Sequence, residues 1–224
     1  MLKKYFSSSI GKKQTVAVTG FMLILFLIMH LAGNCFIYAG PETFNKYAAT
    51  LESLGPVLKL IEWALTAVFA IHIAFTAMVV IENKKSRPVG YAASHYKERS
   101  LATRLMPYTG IILLVYICTH LFDFTFADTT TAISIFQNHQ LGLYGLVVRS
   151  FMNPIKLVWY LIAMSAVGFH LSHAIQSLLQ TFGVSHPAYT SFFRKLSLGL
   201  GVGIALGFSI IPLYVWFYIV PTLI

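Results

Sequence analysis

Four histidines, His30, His72, His120 and His170, fall inside four separate long apolar runs. An ionisable side chain in a membrane span is expensive, and its presence there marks a functional site. Neutral imidazole in a dry interior is a good iron ligand when its other nitrogen finds an acceptor, such as a backbone carbonyl or a Ser/Thr hydroxyl. Four such residues, sorting by depth into two pairs, suit the axial positions of two haems stacked across a bilayer. Bis-histidine ligation leaves no open position for oxygen or substrate, so a haem held in this way carries electrons. The plainer alternative is that each histidine hydrogen-bonds within a helix bundle. His173 complicates the fourth position: it lies three residues from His170, on nearly the same helix face, and is a second possible ligand.

The elements that would position these residues follow from composition. Of 224 residues, 57% are hydrophobic and 10% charged, too few charges to cover a soluble domain of this size. Five apolar runs, roughly 16–39, 57–81, 105–127, 155–181 and 196–220, approach or exceed the twenty or so residues that cross hydrocarbon as a helix. None alternates as a barrel strand does. The expected fold is all-α: one polytopic membrane domain over 1–224, with five transmembrane helices, four of them forming a bundle around two haems. No cleavable signal peptide is expected, since the apolar run behind Met1–Lys13 is too long and lacks a small-residue cleavage site.

Charge sets the expected orientation. Of sixteen Lys and Arg, only Lys46, Lys59, Arg149 and Lys156 fall in the first and third connections, and the other twelve belong to the N-terminus and the second and fourth. The positive-inside rule then puts the N-terminus in the cytoplasm and the C-terminus outside. The net charge of +9 needs no nucleic acid to explain it, and it suits an acidic soluble partner on the cytoplasmic face. With this topology, His30 and His120 lie about 21–22 Å from the cytoplasmic helix ends and His72 and His170 about 15–18 Å. The expected pairs are His30 with His120, and His72 with His170.

Thr19-Gly20 precedes His30 by the same interval at which Thr109-Gly110 precedes His120. Two helices of like direction therefore carry a histidine at like depth. The outer loop Gly40–Pro56 is expected to hold a short amphipathic turn. Leu141–Val148 is too short to span and is expected along the interface, and Pro154 is expected at a helix start. Gly199, Gly203 and Gly207 recur every fourth residue and are read as a close-packing face rather than a nucleotide loop. Cys35 and Cys118 are read as packing residues without a disulfide.

With these strings in hand, the chain resembles the di-haem cytochrome b subunit of succinate dehydrogenase and fumarate reductase, the single-subunit, five-helix membrane-anchor type. The resemblance runs over nearly the whole chain. It rests on the two Thr-Gly-x9-His strings, Gly40-Pro-Glu-Thr-Phe-Asn45, Glu52-Ser-Leu54, His120-Leu-Phe-Asp-Phe124 and His170-Leu-Ser-His-Ala-Ile-Gln-Ser177 followed by Phe182-Gly183. In relatives the fourth ligand stands thirteen residues before the glycine ending its helix, an offset that runs here from His170 to Gly183 and favours His170 over His173. The resemblance implies a bacterial inner-membrane complex, with a flavoprotein that interconverts succinate and fumarate and an iron–sulfur protein on the cytoplasmic face. This chain would pass electrons through two haems b between the iron–sulfur protein and a quinone, menaquinone by expectation.

Quinone chemistry moves protons with electrons. Glu62 and Asp123 are the acidic residues nearest the outer boundary within helices, and they are read as bordering an outer quinone pocket, with Glu62 as proton acceptor. The alternatives are Glu62 at headgroup depth, Asp123 paired with Arg149 or a loop amide, and Glu42 or Glu52 as the outer glutamate. The inner loop offers Arg87, Tyr91 and His95 toward haem propionates, although topology alone also demands a charged loop there. Two competing readings are the haem b subunit of a formate dehydrogenase or hydrogenase complex, and a haem-free transporter, which would carry discontinuous helices and a polar midplane cavity.

Overall fold

The computed structural model describes residues 2–86, 101–127, 142–184 and 187–222. Arg87, Tyr91 and His95 lie outside the described residues. The described chain is helical nearly throughout: α1 (Leu2–Ser7), α2 (Ser9–Asn34) running into a 3-10 turn (Cys35–Ala39), α3 (Pro41–Glu52) and α4 (Pro56–Lys85). Then come α5 (Leu101–His120) with a π-helical turn (Leu121–Thr125), α6 (Gly142–Phe151), α7 (Pro154–Thr181), and α8 (Pro187–Tyr214) with a second π turn (Val215–Ile219). Five helical stretches, Ser9–Ala39, Pro56–Lys85, Arg104–Thr125, Pro154–Thr181 and Ala188–Thr222, are long and apolar enough to cross a membrane. The chain is a multi-pass helical membrane protein.

Helix limits follow local chemistry. Ser8 starts α2 by accepting the Gly11 amide at 3.0 Å, so this helix begins well before its apolar run. Pro41, Pro56 and Pro154 open α3, α4 and α7, where the missing N–H is no loss. Asn153 caps α7 by accepting from the Ile155 amide at 2.9 Å. Gly40 and Gly55 precede the first two prolines with φ of 91° and 53°, a backbone that glycine adopts without penalty.

Packing divides the spans into two pairs. α4 packs chiefly against α2, and α5 chiefly against α7; α2 and α7 touch and join the pairs, and α8 lies along α7 and α2. No α4 residue is buried within the protein. Apolar Val57, Leu60, Ile61 and Trp63 face outward, as lipid-facing residues do. One buried cluster, with Ile24, Ala163, Met164, Val167, Leu171 and Ile204, joins α2, α7 and α8 at mid-span.

A second cluster closes the face opposite the N-terminus, hereafter the far side. It contains Ile37, Phe44, Val148, Phe151, Tyr160 and Val215. The outer-loop turn expected between Gly40 and Pro56 is a three-turn helix, α3. The stretch expected along the interface is α6, and it is no surface helix: Leu146, Val147, Val148 and Phe151 are buried. The Asn45 side chain of α3 holds it there, accepting from the Tyr144 amide at 3.0 Å.

The glycines of α8 pack differently from the expected row. A Cβ on Gly201 would sit 2.8 Å from the Gly168 carbonyl oxygen and 2.8 Å from the Ser172 nitrogen, and one on Gly207 would sit 2.7 Å from Leu31. Gly199 and Gly203 face open space. Close approach is thus made by Gly201, where α7 brings its own glycine, Gly168, to the crossing, and by Gly207 of the expected row, against Leu31 of α2. Cys35 and Cys118 are free and exposed, so they point away from the packed interior.

Candidate metal centre

The two helix pairs carry matching equipment. In α2–α4, Thr19 Oγ1 lies 3.0 Å from His72 Nδ1; in α5–α7, Thr109 Oγ1 lies 3.2 Å from His170 Nδ1. Each hydroxyl also meets carbonyls of its own turn, Thr19 those of Thr15 and Val16 at 2.7 and 3.2 Å, Thr109 those of Leu105 and Met106, both at 3.1 Å. A hydroxyl has one proton and two acceptor lone pairs. With the proton given to its own turn, the threonine oxygen accepts Nδ1–H from the histidine. That leaves Nε2 of His72 and of His170 carrying the lone pair a metal takes.

The glycine after each threonine faces the same ring, and at Gly20 it makes room for it. A Cβ on Gly20 would lie 3.2 Å from His72 Cε1, and one on Gly110 would lie 3.8 Å from His170 Cε1. Each Thr-Gly step is therefore a seat for a histidine on the neighbouring helix, and ten residues further along the same helix stands the other histidine, His30 or His120.

Histidines pair between the units. The His30 and His120 rings stand with centroids 5.9 Å apart and planes at 90°. At that spacing both imidazoles would reach one metal ion through metal–nitrogen bonds of about 2 Å. Phe26, Phe208, Tyr116 and Phe124 surround the His30/His120 pair, with centroids 5.2 to 5.7 Å from one histidine or the other.

Among the described residues, the His30 and His120 imidazoles would suit a haem. No group of three or more His, Cys, Asp or Glu converges among the described residues. Two buried side-chain polar atoms lack a hydrogen-bond partner, Thr76 Oγ1 and His120 Nδ1. Thr76 is one turn from His72 on α4, so one orphan lies at each level. A buried polar atom left unpaired costs about 1–3 kcal/mol.

The acidic residues read from the sequence fall in different settings. Asp123 stands in the π turn after His120, its Oδ1 2.5 Å from Lys156 Nζ and its Oδ2 accepting from the Tyr160 hydroxyl at 3.0 Å. Its partner is Lys156 and not Arg149. Glu62 is paired with Lys59 at 2.8 Å on an exposed face of α4. Among the described residues no hydrogen bond or ion pair joins the two acids. Sequence reasoning missed Lys156, Tyr160 and the cross-helix target of Thr19 and Thr109. The repeated Thr-Gly was the signal available for the threonines.

Against known proteins, the chain is similar to a cytochrome subunit of a dehydrogenase. That relative is the succinate dehydrogenase cytochrome b558 subunit of Bacillus subtilis (strain 168), 26% identical over 168 residues that cover 72% of this chain and 73% of the relative. No family model matches the chain, and no solved structure does.

Proposed function

We propose that this chain is the membrane anchor and cytochrome b subunit of a succinate:quinone oxidoreductase. It carries electrons between an iron–sulfur subunit and membrane quinone. The similarity to the Bacillus subunit supports the complex. The observation that carries the electron-transfer reading is the twice-built Thr–His contact, at 3.0 and 3.2 Å, with histidines meeting between units.

Two b haems, when bound, supply reversible one-electron transfer. His30 and His120 hold one, and His72 and His170 hold the other. Thr19 and Thr109 fix the tautomer and aim of the second pair. Double-mutant cycles put a cross-helix hydrogen bond in a membrane at about 0.6 kcal/mol on average. These contacts therefore aim rings more than they hold helices together. The aromatic residues around His30 and His120 exclude water.

The N-terminal side is cytoplasmic in this reading. Its lysines receive the iron–sulfur and flavoprotein subunits, and Arg87, Tyr91 and His95, between α4 and α5 in sequence, are proposed to meet haem propionates. Menaquinone reacts at the far side, bordered by Asp123, with Glu62 as proton acceptor from the lipid-facing surface of α4. Haem content per polypeptide, by pyridine haemochrome and a reduced spectrum on the purified complex, tests the reading. About two b haems per chain is the expected result; none in a folded, natively expressed preparation would remove the electron-transfer mechanism.

A further inference from the structure

Asp123 is less a free acid than the centre of a built cluster. Both carboxylate oxygens are taken, one by Lys156 and one by Tyr160. The Asp123 side chain is 16% exposed, and that of Lys156 39%. Tyr160 is 5% exposed, with its ring 6.2 Å from that of His120 and 5.1 Å from that of Tyr116. The π turn that carries Asp123 begins at the residue after His120, and such turns often mark functional positions. Lys156 lies in the first turn of α7, where the helix dipole disfavours a cation. Asp123 offsets that, so the pair is adapted to its place. Of the three ion pairs among the described residues, Lys12–Glu82 bridges the near-side ends of α2 and α4 and Lys59–Glu62 is exposed. Asp123–Lys156 alone has a member within one helical turn of a paired histidine.

We infer that Asp123, Lys156 and Tyr160 set the reduction potential of the centre held by His30 and His120. This inference rests on the haem reading. A fixed anion beside the iron favours its oxidised state, and a fixed cation favours its reduced state. Inside a protein these charges are poorly screened, and the surroundings of a haem are one of the levers on its potential. Asp123 supplies the anion, Lys156 limits how much of its field reaches the iron, and Tyr160 spreads the carboxylate charge through its hydrogen bond. Asp123 is in this respect a positioning and tuning residue.

The experiment is an equilibrium redox titration of the visible haem bands in the purified complex. Asp123→Asn removes the anion and leaves Lys156 unopposed. It is expected to shift the reduction equilibrium of one haem about tenfold toward the reduced form, which is 59 mV for one electron, and to leave the other haem in place. Asp123→Asn with Lys156→Met removes both charges and is expected to return that haem toward wild type. Tyr160→Phe keeps the ring packing and is expected to move the same haem at least twofold the other way; it carries the test if the aspartate variant fails to assemble. Unmoved midpoints in variants that bind both haems, or equal shifts of the two, would overturn the inference. A wild-type complex without haem would instead overturn the reading beneath it.

Discussion

Thr109 Oγ1 and His170 Nδ1 stand 3.2 Å apart on neighbouring helices, and the direction of the hydrogen bond between them determines which ring nitrogen is left for a metal. Thr19 and His72 repeat the arrangement at 3.0 Å. Replacing either threonine by valine keeps the branch and removes the acceptor. Loss of such an outer partner is expected to weaken ligation by about 10–100-fold. Haem titration of Thr19→Val and Thr109→Val should show one weakened site and one unchanged. Equal weakening of both sites would contradict the assignment.

The glycines beside these threonines differ in clearance. Gly20→Ala would place a Cβ 3.2 Å from His72 Cε1, whereas Gly110→Ala would leave an ordinary 3.8 Å contact with His170. The first variant is expected to perturb the reduced spectrum of one haem and the second to leave both bands as they are. Low-temperature difference spectra of the two variants check this.

His170 accepts the Thr109 seat, and His173 is one turn away without it. His170→Ala is expected to leave about one haem per chain, and His173→Ala two. Pyridine haemochrome on both variants decides between them; the reverse result would move the ligand to His173.

Gly201→Ala drives a Cβ into backbone of α7, 2.8 Å from both Gly168 O and Ser172 N. Overpacking of this kind costs about 1–3 kcal/mol. Thermal unfolding in detergent should show Gly201→Ala destabilised, with Gly199→Ala and Gly203→Ala close to wild type.

Glu62 faces outward in its pair with Lys59. Glu62→Gln is expected to slow quinone turnover and leave the haem spectrum unaltered. Normal turnover with both haems bound would remove Glu62 from the proton route.

The histidines were legible because an ionisable side chain inside an apolar run is rare, and their order of depth followed from helical rise. The repeat of Thr19-Gly20 at Thr109-Gly110 was legible as a repeat, yet its purpose was not. Periodicity places a threonine on a face of its own helix and says nothing of which residue the next helix sets against it. Lys156 was hidden for a related reason: α6 folds into the far-side cluster, and the short turn at Met152–Asn153 brings the first turn of α7, rather than Arg149, against Asp123. The α8 glycines show the same limit. A four-residue spacing marked Gly199 and Gly203, but a close crossing also needs a small residue on the partner, and Gly168 selected Gly201.

The bond from the Tyr144 amide to Asn45 joins positions 99 apart in sequence, with α4 and α5 threaded between them. A chain made from its N-terminus presents α3 long before α6 exists. The far-side cluster, which joins Ile37 and Phe44 to Val148, Phe151, Tyr160 and Val215, is therefore the last part of the protein that synthesis can complete.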